Sequence, residues 1–503
     1  MNRSAGILMH IASLPGRFGI GTLGKEAYEF ADFIKKAGFK YWQILPLGHT
    51  GYGDSPYQCF SAFAGNPYFI DFDLLKDEGL LKEEDYINED YGDDLNSIDY
   101  GKIFITKYEV LKKAYKTFKE SNLDIMEKEF KEFKDEKSFW LDDYSLYMAL
   151  KYNFNLKSWY EWSDELKRRD KETISKYKVE LKDEIEYWSF LQYLFYKQWR
   201  ELKDYLNDLG IEIIGDIPIY VASDSADTWS MPENFLINKE TLDPIAVAGC
   251  PPDIFSETGQ LWGNLIYDWD YMKKNKYKWW KTRIKESLTL YDVLRIDHFR
   301  GFESYWSIPF GDETAKNGKW VKGPGIELFD EIKNEIGEVN IIAEDLGFLT
   351  DDVRKFLKDT GFPGMRILEF AFDGKPENEY LPHNYCRKCI VYTGTHDNDT
   401  CIGWYEKTSS KEERQRAKEY LGLNGRPEGC NWGFIRGIWS SIADVAIAPT
   451  QDFLNLGNEA RMNLPSTIGS NWKWRVEKGE LTEKLAEKIY KFSKMYGRCE
   501  SNE

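Results

Sequence analysis

Short apolar, β-branched runs that end in polar or charged residues recur along the chain, with helical spacing between them. They are "GILMHIASL" (6–14), "YWQILPL" (41–47), "IEIIGDIPIYV" (211–221), "VLRIDH" (293–298), "NIIAEDLG" (340–347), "MRILEFAFD" (365–373), "CIVYTGTHD" (389–397) and "DVAIAPTQD" (444–452). Near-continuous apolar strands that alternate with helices build a parallel sheet covered by helices. The first intervening helix is clear in the pattern. Ala27, Phe30, Ala31, Ile34 and Ala37 share one face, and Gly38 stops the run. Eight such units predict an α/β fold, a (β/α)8 TIM barrel spanning residues 1–503, in which chemistry sits where strands end and loops begin.

Two intervals are too long for a simple connection. Residues 75–200 are rich in Lys, Glu and Asp with interspersed Leu, Tyr, Trp and Phe, and read as a mostly helical insertion with solvated charged faces. Residues 222–270 contain "MPENF" and "GCPPDIFSETGQLWGN" with little periodicity, and read as a long structured loop after the third strand. Loops of that length inside a compact domain are usually functional or disordered, and the proline, glycine and aromatic content favours function. The start, "MNRSAGILMHIASLPG", has an Arg and a short apolar run in the manner of a signal peptide. His10 and Ser13 interrupt the run and no small-residue cleavage site follows, so a buried strand is expected.

The net charge of −18 argues against nucleic acid as a partner, because phosphate binding needs a basic face. No apolar run approaches the roughly 20 residues of a membrane span. Seven cysteines, an odd number scattered through a long chain, suggest reduced thiols and a cytoplasmic location. Cys386 and Cys389 form a lone CxxC with no second ligand pair, which does not make a zinc site. Aromatics are heavy at 16%, which fits either a large core or open clefts whose flat faces hold sugar rings.

The strand ends carry the chemistry. Asp297, Glu344 and Asp397 fall at the C-terminal ends of strands four, five and seven, and Asp216 falls similarly in strand three. A lone acid there serves equally well as a helix cap or salt-bridge partner. Four around one barrel mouth repel one another unless a cation or a shared proton relieves them. Arg295 projects to the same strand face as Asp297 and supplies that charge. A retaining glycosidic reaction needs two carboxyl groups about 5–5.5 Å apart, one to attack the anomeric carbon and one to act as acid and then base. Neighbouring strands are about 4.8 Å apart, so side chains from strands four and five could meet that distance. A third acid holds sugar hydroxyls and stabilises the oxocarbenium-like transition state. His298 and His396 each adjoin an acid and, as neutral imidazoles, suit either hydroxyl binding or a buried structural hydrogen bond.

Competing chemistries lack their residues. The five histidines form no HxH or HExxH set, and there is no EF-hand loop, P-loop, Rossmann glycine fingerprint or GxSxG elbow. No metal and no cofactor are expected.

Together, "GDIPIYV" (215–221), "LRIDHFRG" (294–301), "IIAEDLG" (341–347) and "YTGTHDNDT" (392–400) resemble the α-amylase clan. Within it the chain is similar to the 4-α-glucanotransferases (amylomaltases or disproportionating enzymes, glycoside hydrolase family 77). "GYGDSPYQCFSAFAGNPY" (51–68), the stretch at 249–264 and "ARMNLPSTIGSNWKWR" (460–475) extend the likeness over essentially the whole chain. The resemblance implies Asp297 as nucleophile, Glu344 as acid/base and Asp397 as transition-state stabiliser. It also implies substrate contacts from Asp216, Arg295, His298, His396 and Trp262, and from Tyr57, Ser61 and Asn463. Donor and acceptor would be an α-1,4-glucan and glucose or a maltooligosaccharide.

Two positions depart from the family pattern. Ser466 stands where glycine follows the proline of "RMNxP", so a backbone built for positive φ would be strained there. Leu265 replaces the proline of the commoner glycine–asparagine–proline. Pro251, Pro252, Phe255 and Trp262 are expected near the mouth, where they would cover the intermediate against water. A starch hydrolase of the same clan shares the triad. A non-catalytic glucan-binding barrel predicts loss of at least one of the three acids, and a scaffold built on the charged insertion leaves the polar strand ends unexplained.

Overall fold

The computed structural model describes residues 1–252, 256–347, 349–423 and 429–499. Eight parallel strands form the central sheet: β1 (Ser4–Leu8), β2 (Tyr41–Gln43), β3 (Glu212–Pro218), β4 (Val293–Asp297), β5 (Ile341–Ala343), β6 (Gly364–Ile367), β7 (Cys389–Tyr392) and β8 (Val445–Pro449). They pair in chain order, and β1 pairs with both β2 and β8, so the first and last strands are neighbours. Between β5 and β6 the Ala343 N–H donates to the Pro363 carbonyl at 2.9 Å. Across the same gap the Asp345 carboxylate accepts the Met365 N–H at 2.6 Å and pairs with Arg366 at 3.1 Å. These contacts close the circle, and the fold is a (β/α)8 barrel.

The strands are apolar because both faces are covered; every residue of β1, β7 and β8 is buried. Gly215 in β3 is required by space, since a Cβ there would lie 2.1 Å from the Tyr291 ring. Helix α1 (Lys25–Ala37) buries Ala27, Phe30, Ala31, Ile34 and Ala37. It ends at Gly38, whose φ of 73° lets its N–H return to the Ile34 carbonyl. The strands are shorter than the apolar runs that mark them. "GILMHIASL", for example, becomes a strand to Leu8 and then a 3-10 turn over Ile11–Ser13.

The β2–β3 connection contains the long helices α2 (Tyr100–Glu120), α3 (Asp124–Asn153) and α4 (Lys182–Asp208). Helices α3 and α4 pack through aromatic pairs such as Phe130–Phe190 and Trp140–Tyr196, with ring centroids 5.7 and 5.9 Å apart. Two buried glutamines of α4 act as backbone mimics. Gln192 exchanges two hydrogen bonds with Gly65, and Gln198 two with Asp71, at 2.8–3.1 Å. They hold the segment 44–71, which carries Tyr57, against the barrel top.

The interval between β3 and β4 is more ordered than its composition suggests. Ala246–Cys250 pairs antiparallel with Gln260–Leu265 on one side and Ser304–Pro309 on the other, and Lys319–Lys322 completes a four-stranded sheet. Its period-2 pattern is masked by a register irregularity between Val247 and Gly249. Leu265 is buried within this sheet.

Candidate active site

Arg295 organises the floor of the barrel mouth. It lies on β4 beside Asp216 of β3, in the register Asp216↔Arg295 and Pro218↔Asp297. Its Nη1 donates to Asp216 Oδ2 at 2.6 Å and its Nη2 to Asp297 Oδ1 at 2.9 Å. Burial works against the guanidinium charge, but the carboxylates of Asp216 and Asp297 outweigh it and hold the group protonated well above its ordinary value. The guanidinium thus relieves the repulsion that these acids would otherwise suffer.

The next turn brings β4 and β5 together. His298 adopts φ 51° and ψ 45°, the left-handed region, immediately after Asp297. That turn lets the His298 N–H donate to Glu344 Oε2 at 2.7 Å, while the Phe299 N–H reaches the Glu344 carbonyl at 3.1 Å. The Leu346 N–H donates to Glu344 Oε1 at 2.7 Å. Ile296 pairs with Ala343 in the ladder, so Asp297 and Glu344 are the next residues of two adjacent strands.

The two carboxyls differ electrostatically. Burial raises Glu344 to about 8, with the Asp297 charge adding to it and Arg295 and two backbone N–H groups opposing it. Burial raises Asp297 only to about 6, because Arg295 opposes the shift while Asp216 and Asp397 add to it. Burial and mutual repulsion thus favour a proton on the pair, and the Arg295 contact to Asp297 favours Glu344 as the group that carries it. Burial, with the nearby Arg300 charge, lowers His298 to about 3 and keeps it neutral.

The third acid lies beyond the end of β7. Asp397 Oδ1 accepts from Asn463 Nδ2 at 2.6 Å, and its Oδ2 lies 3.4 Å from His396 Nε2. The Tyr57 hydroxyl donates to Asp216 at 2.7 Å and sits 2.8 Å from His396 Nε2. Since that hydroxyl has only one proton, His396 Nε2 is the donor to it, and a relay runs from His396 through Tyr57 to Asp216. Tyr57 stacks on His396 at 5.3 Å with an interplanar angle of 17°.

Asp297, His298, Asp397 and Asn463 border an open cleft of about 330 Å³ whose apolar walls are Tyr57, Tyr220, Trp262 and Trp472. Trp262 stands edge-on to His298 at 4.8 Å, and its indole N–H donates to Gln260 at 3.0 Å. Of the other sequence-derived residues, Asp216, Arg295, Glu344 and His396 lie behind the cleft wall and are tied to it by the hydrogen bonds above, whereas Ser61 makes none of these bonds. The Ser61 hydroxyl accepts the Phe63 and Ala64 N–H groups at 3.1 and 3.3 Å and faces a separate buried cavity of about 50 Å³ behind Tyr57 and Asp216. It stabilises its own turn. Pro251 and Pro252 are outside the cleft wall formed by the described residues, and Phe255 lies outside the described residues. Ser466 is on the cleft lip at φ 65°, the conformation for which glycine is suited.

Sequence reasoning did not single out Trp472 or Arg461. Trp472 lies 5.9 Å from both the Tyr57 and His396 rings and has φ 66°. Its carbonyl accepts from Tyr100 of α2 at 2.9 Å, a partner 372 residues away. The tryptophan is visible in "SNWKWR", but its place depends on that distant contact. Among the described residues no group of three or more His, Cys, Asp or Glu is arranged to hold a metal ion, and no helix is long and apolar enough to cross a membrane.

A model of the 4-alpha-glucanotransferase family matches residues 9–482. The chain belongs to the 4-alpha-glucanotransferase family. It is 60% identical to the 4-alpha-glucanotransferase of Clostridium butyricum, over 98% of this chain and all of that one. It is 48% identical to that of Streptococcus pneumoniae, over 99% of this chain and 98% of the relative. The solved amylomaltase of Streptococcus agalactiae in complex with acarbose superposes with a TM-score of 0.95 at 44% identity, covering 99% of this chain and all of that one. As a 4-alpha-glucanotransferase, the chain carries three carboxylates, Asp297, Glu344 and Asp397, at its barrel mouth.

Proposed function

We propose that this 4-alpha-glucanotransferase moves segments of an α-1,4-glucan to the 4-hydroxyl of glucose or a maltooligosaccharide by a retaining double displacement. The observation that carries the mechanism is the placement of Asp297 and Glu344 at the ends of adjacent strands, with Arg295 donating to Asp297 and the His298 and Leu346 N–H groups donating to Glu344. Strand neighbours about 4.8 Å apart fit the short carboxyl separation of retaining enzymes.

In the first step the Asp297 carboxylate attacks the anomeric carbon while Glu344 protonates the departing glycosidic oxygen. The bond to Asp297 forms as the bond to the leaving chain breaks. In the second step Glu344, now a carboxylate, takes the proton of the acceptor 4-hydroxyl, which displaces Asp297. Asp397, aimed by Asn463, holds sugar hydroxyls and favours the oxocarbenium-like transition state. Arg295 keeps Asp297 ionised without neutralising it. Asp216, His298, His396 and Tyr57 fix the sugar bound in front of the nucleophile.

Transfer must compete with concentrated water. The wall built by Trp262, Tyr220 and Trp472 supports acceptor stacking and water exclusion, which orient a sugar hydroxyl better than a solvent molecule. On this reading residues 75–200 and 222–270 are insertions within one catalytic unit. Seven cysteines, an odd number scattered through a long chain, support a cytoplasmic location. Incubation with maltotriose tests the proposal. Glucose together with a ladder of longer chains is expected; only shorter sugars would make the protein a hydrolase.

A further inference from the structure

Arg461 does not itself line the cleft and makes no hydrogen bond to the carboxyl groups of Asp297, Glu344 or Asp397, yet it joins the two loops that present Asp397 and Asn463. Its Nε donates to the Asn463 carbonyl and its Nη2 to the Asp397 carbonyl, each at 2.8 Å. Nε and Nη2 share one edge of the guanidinium, so a single planar fork grips two backbone oxygens from different loops. One loop follows β7 and the other follows β8. Two further bonds complete the tie: the Asn463 N–H donates to the His396 carbonyl at 3.1 Å, and Asn463 Nδ2 to Asp397 Oδ1 at 2.6 Å.

The remaining side of the guanidinium faces buried acids. Arg461 Nη1 is 4.0 Å from Asp399 Oδ2, which already accepts from Asn458 Nδ2 at 2.7 Å. The Arg461 charge also acts on the buried Glu369, opposing the rise that burial and the neighbouring Asp452 and Asp399 impose. The short bonds are those to the two carbonyls. They matter because the Asp397 side chain is 43% exposed and has little packing to hold it, whereas the Arg461 side chain is 18% exposed. The direction of the Asp397 carboxylate is therefore set by its backbone and by the Asn463 amide, and Arg461 grips both.

We propose that Arg461 is a positioning residue for glucan transfer, fixing the Asp397 carboxylate and the Asn463 amide in the geometry that binds the transition state. The proposal rests on the role given to Asp397 above. An interaction realised in the transition state appears in kcat, whereas loss of uniform substrate binding appears in KM. A misplacement of about 1 Å costs on the order of 100-fold.

Steady-state transfer from maltotriose is measured for Arg461→Ala, Arg461→Lys, Asn463→Ala, the Arg461→Ala/Asn463→Ala pair and Asp397→Asn, each with its melting midpoint. Arg461→Ala is expected to lower kcat about 10- to 100-fold with KM within about 3-fold. Arg461→Lys, which keeps the charge but not the fork, is expected to recover only a small part of the loss. The double variant is expected to lose little more than the worse single variant, because both changes act through Asp397. An unchanged kcat in Arg461→Ala, or fully multiplicative losses in the double variant, overturns the proposal. If Arg461→Ala does not fold, Arg461→Lys decides: a fall in kcat of about 5-fold or more at an unchanged melting midpoint supports the fork, and wild-type kcat removes it. Asp397→Asn with wild-type activity would instead overturn the role of Asp397 itself.

Discussion

At the scale of the residue, the chemistry depends on two neighbouring carboxyls that titrate differently. Burial raises both, but Arg295 donates directly to Asp297 and only to it of the pair, which favours the ionised form of the proposed nucleophile and leaves the larger rise to Glu344. The sign of the pH dependence follows. Below about 6 Asp297 gains a proton and cannot attack, and above about 8 Glu344 loses the proton that the leaving oxygen needs. A plot of kcat/KM against pH is expected to be a bell with limbs near 6 and 8. A rate that keeps climbing to pH 10 would contradict the acid role of Glu344. Ser466 makes a second residue-level case, with a side chain at φ 65° on an exposed lip. Ser466→Gly relieves left-handed strain of about 1–2 kcal/mol at a chain-entropy cost of about 0.5–1 kcal/mol. Thermal unfolding is expected to show a small rise in melting midpoint, and a fall would mean that the serine is not strained.

At the scale of the element, strand ends were legible in the sequence and loop partners were not. A strand buried on both faces must be apolar along its length, so an acid at its end stands out, as Asp297 does after "VLRI" and Glu344 after "IIA". Arg295 was legible for the same reason, through its two-residue spacing from Asp297. The antiparallel sheet around Ala246–Cys250 was hidden because one partner strand lies as far away as Pro309, opposite Ala246, and its pairing is irregular. Ser61 sits in "SPYQCFSAF" near Tyr57, and its hydroxyl accepts two N–H groups of its own turn, a local partner that the sequence does not display. The strand that carries Trp262 has its own consequence. Trp262→Ala opens the wall next to His298, so the ratio of glucose released by hydrolysis to glucan transferred is expected to rise several-fold. An unchanged ratio would remove this strand from the explanation of transfer.

At the scale of the whole molecule, the barrel turns distance in sequence into proximity. Asp216, Asp297, Glu344 and Asp397 span 182 positions, yet β3, β4 and β5 are consecutive staves and β7 returns the chain to the same mouth. The β1–β8 pairing and the Asp345 contacts between β5 and β6 complete the ring that holds those staves in place. The long helices of the β2–β3 connection contribute by holding the Tyr57 segment through Gln192 and Gln198. The rigid scaffold below and the loops above thus divide the work, the strands supplying the proposed nucleophile and acid and the loops supplying Asp397, Asn463 and the aromatic walls.

The measurement that bears most directly on this account is mass spectrometry of Glu344→Gln after brief exposure to an α-maltosyl fluoride. Fluoride leaves without a proton, so glycosylation proceeds, while the amide cannot activate an acceptor and the intermediate accumulates. The account predicts one maltosyl unit on the peptide that contains Asp297, absent when Asp297→Asn is combined with Glu344→Gln. A glycosylated peptide elsewhere, or turnover of the fluoride with inversion and no adduct, would contradict it.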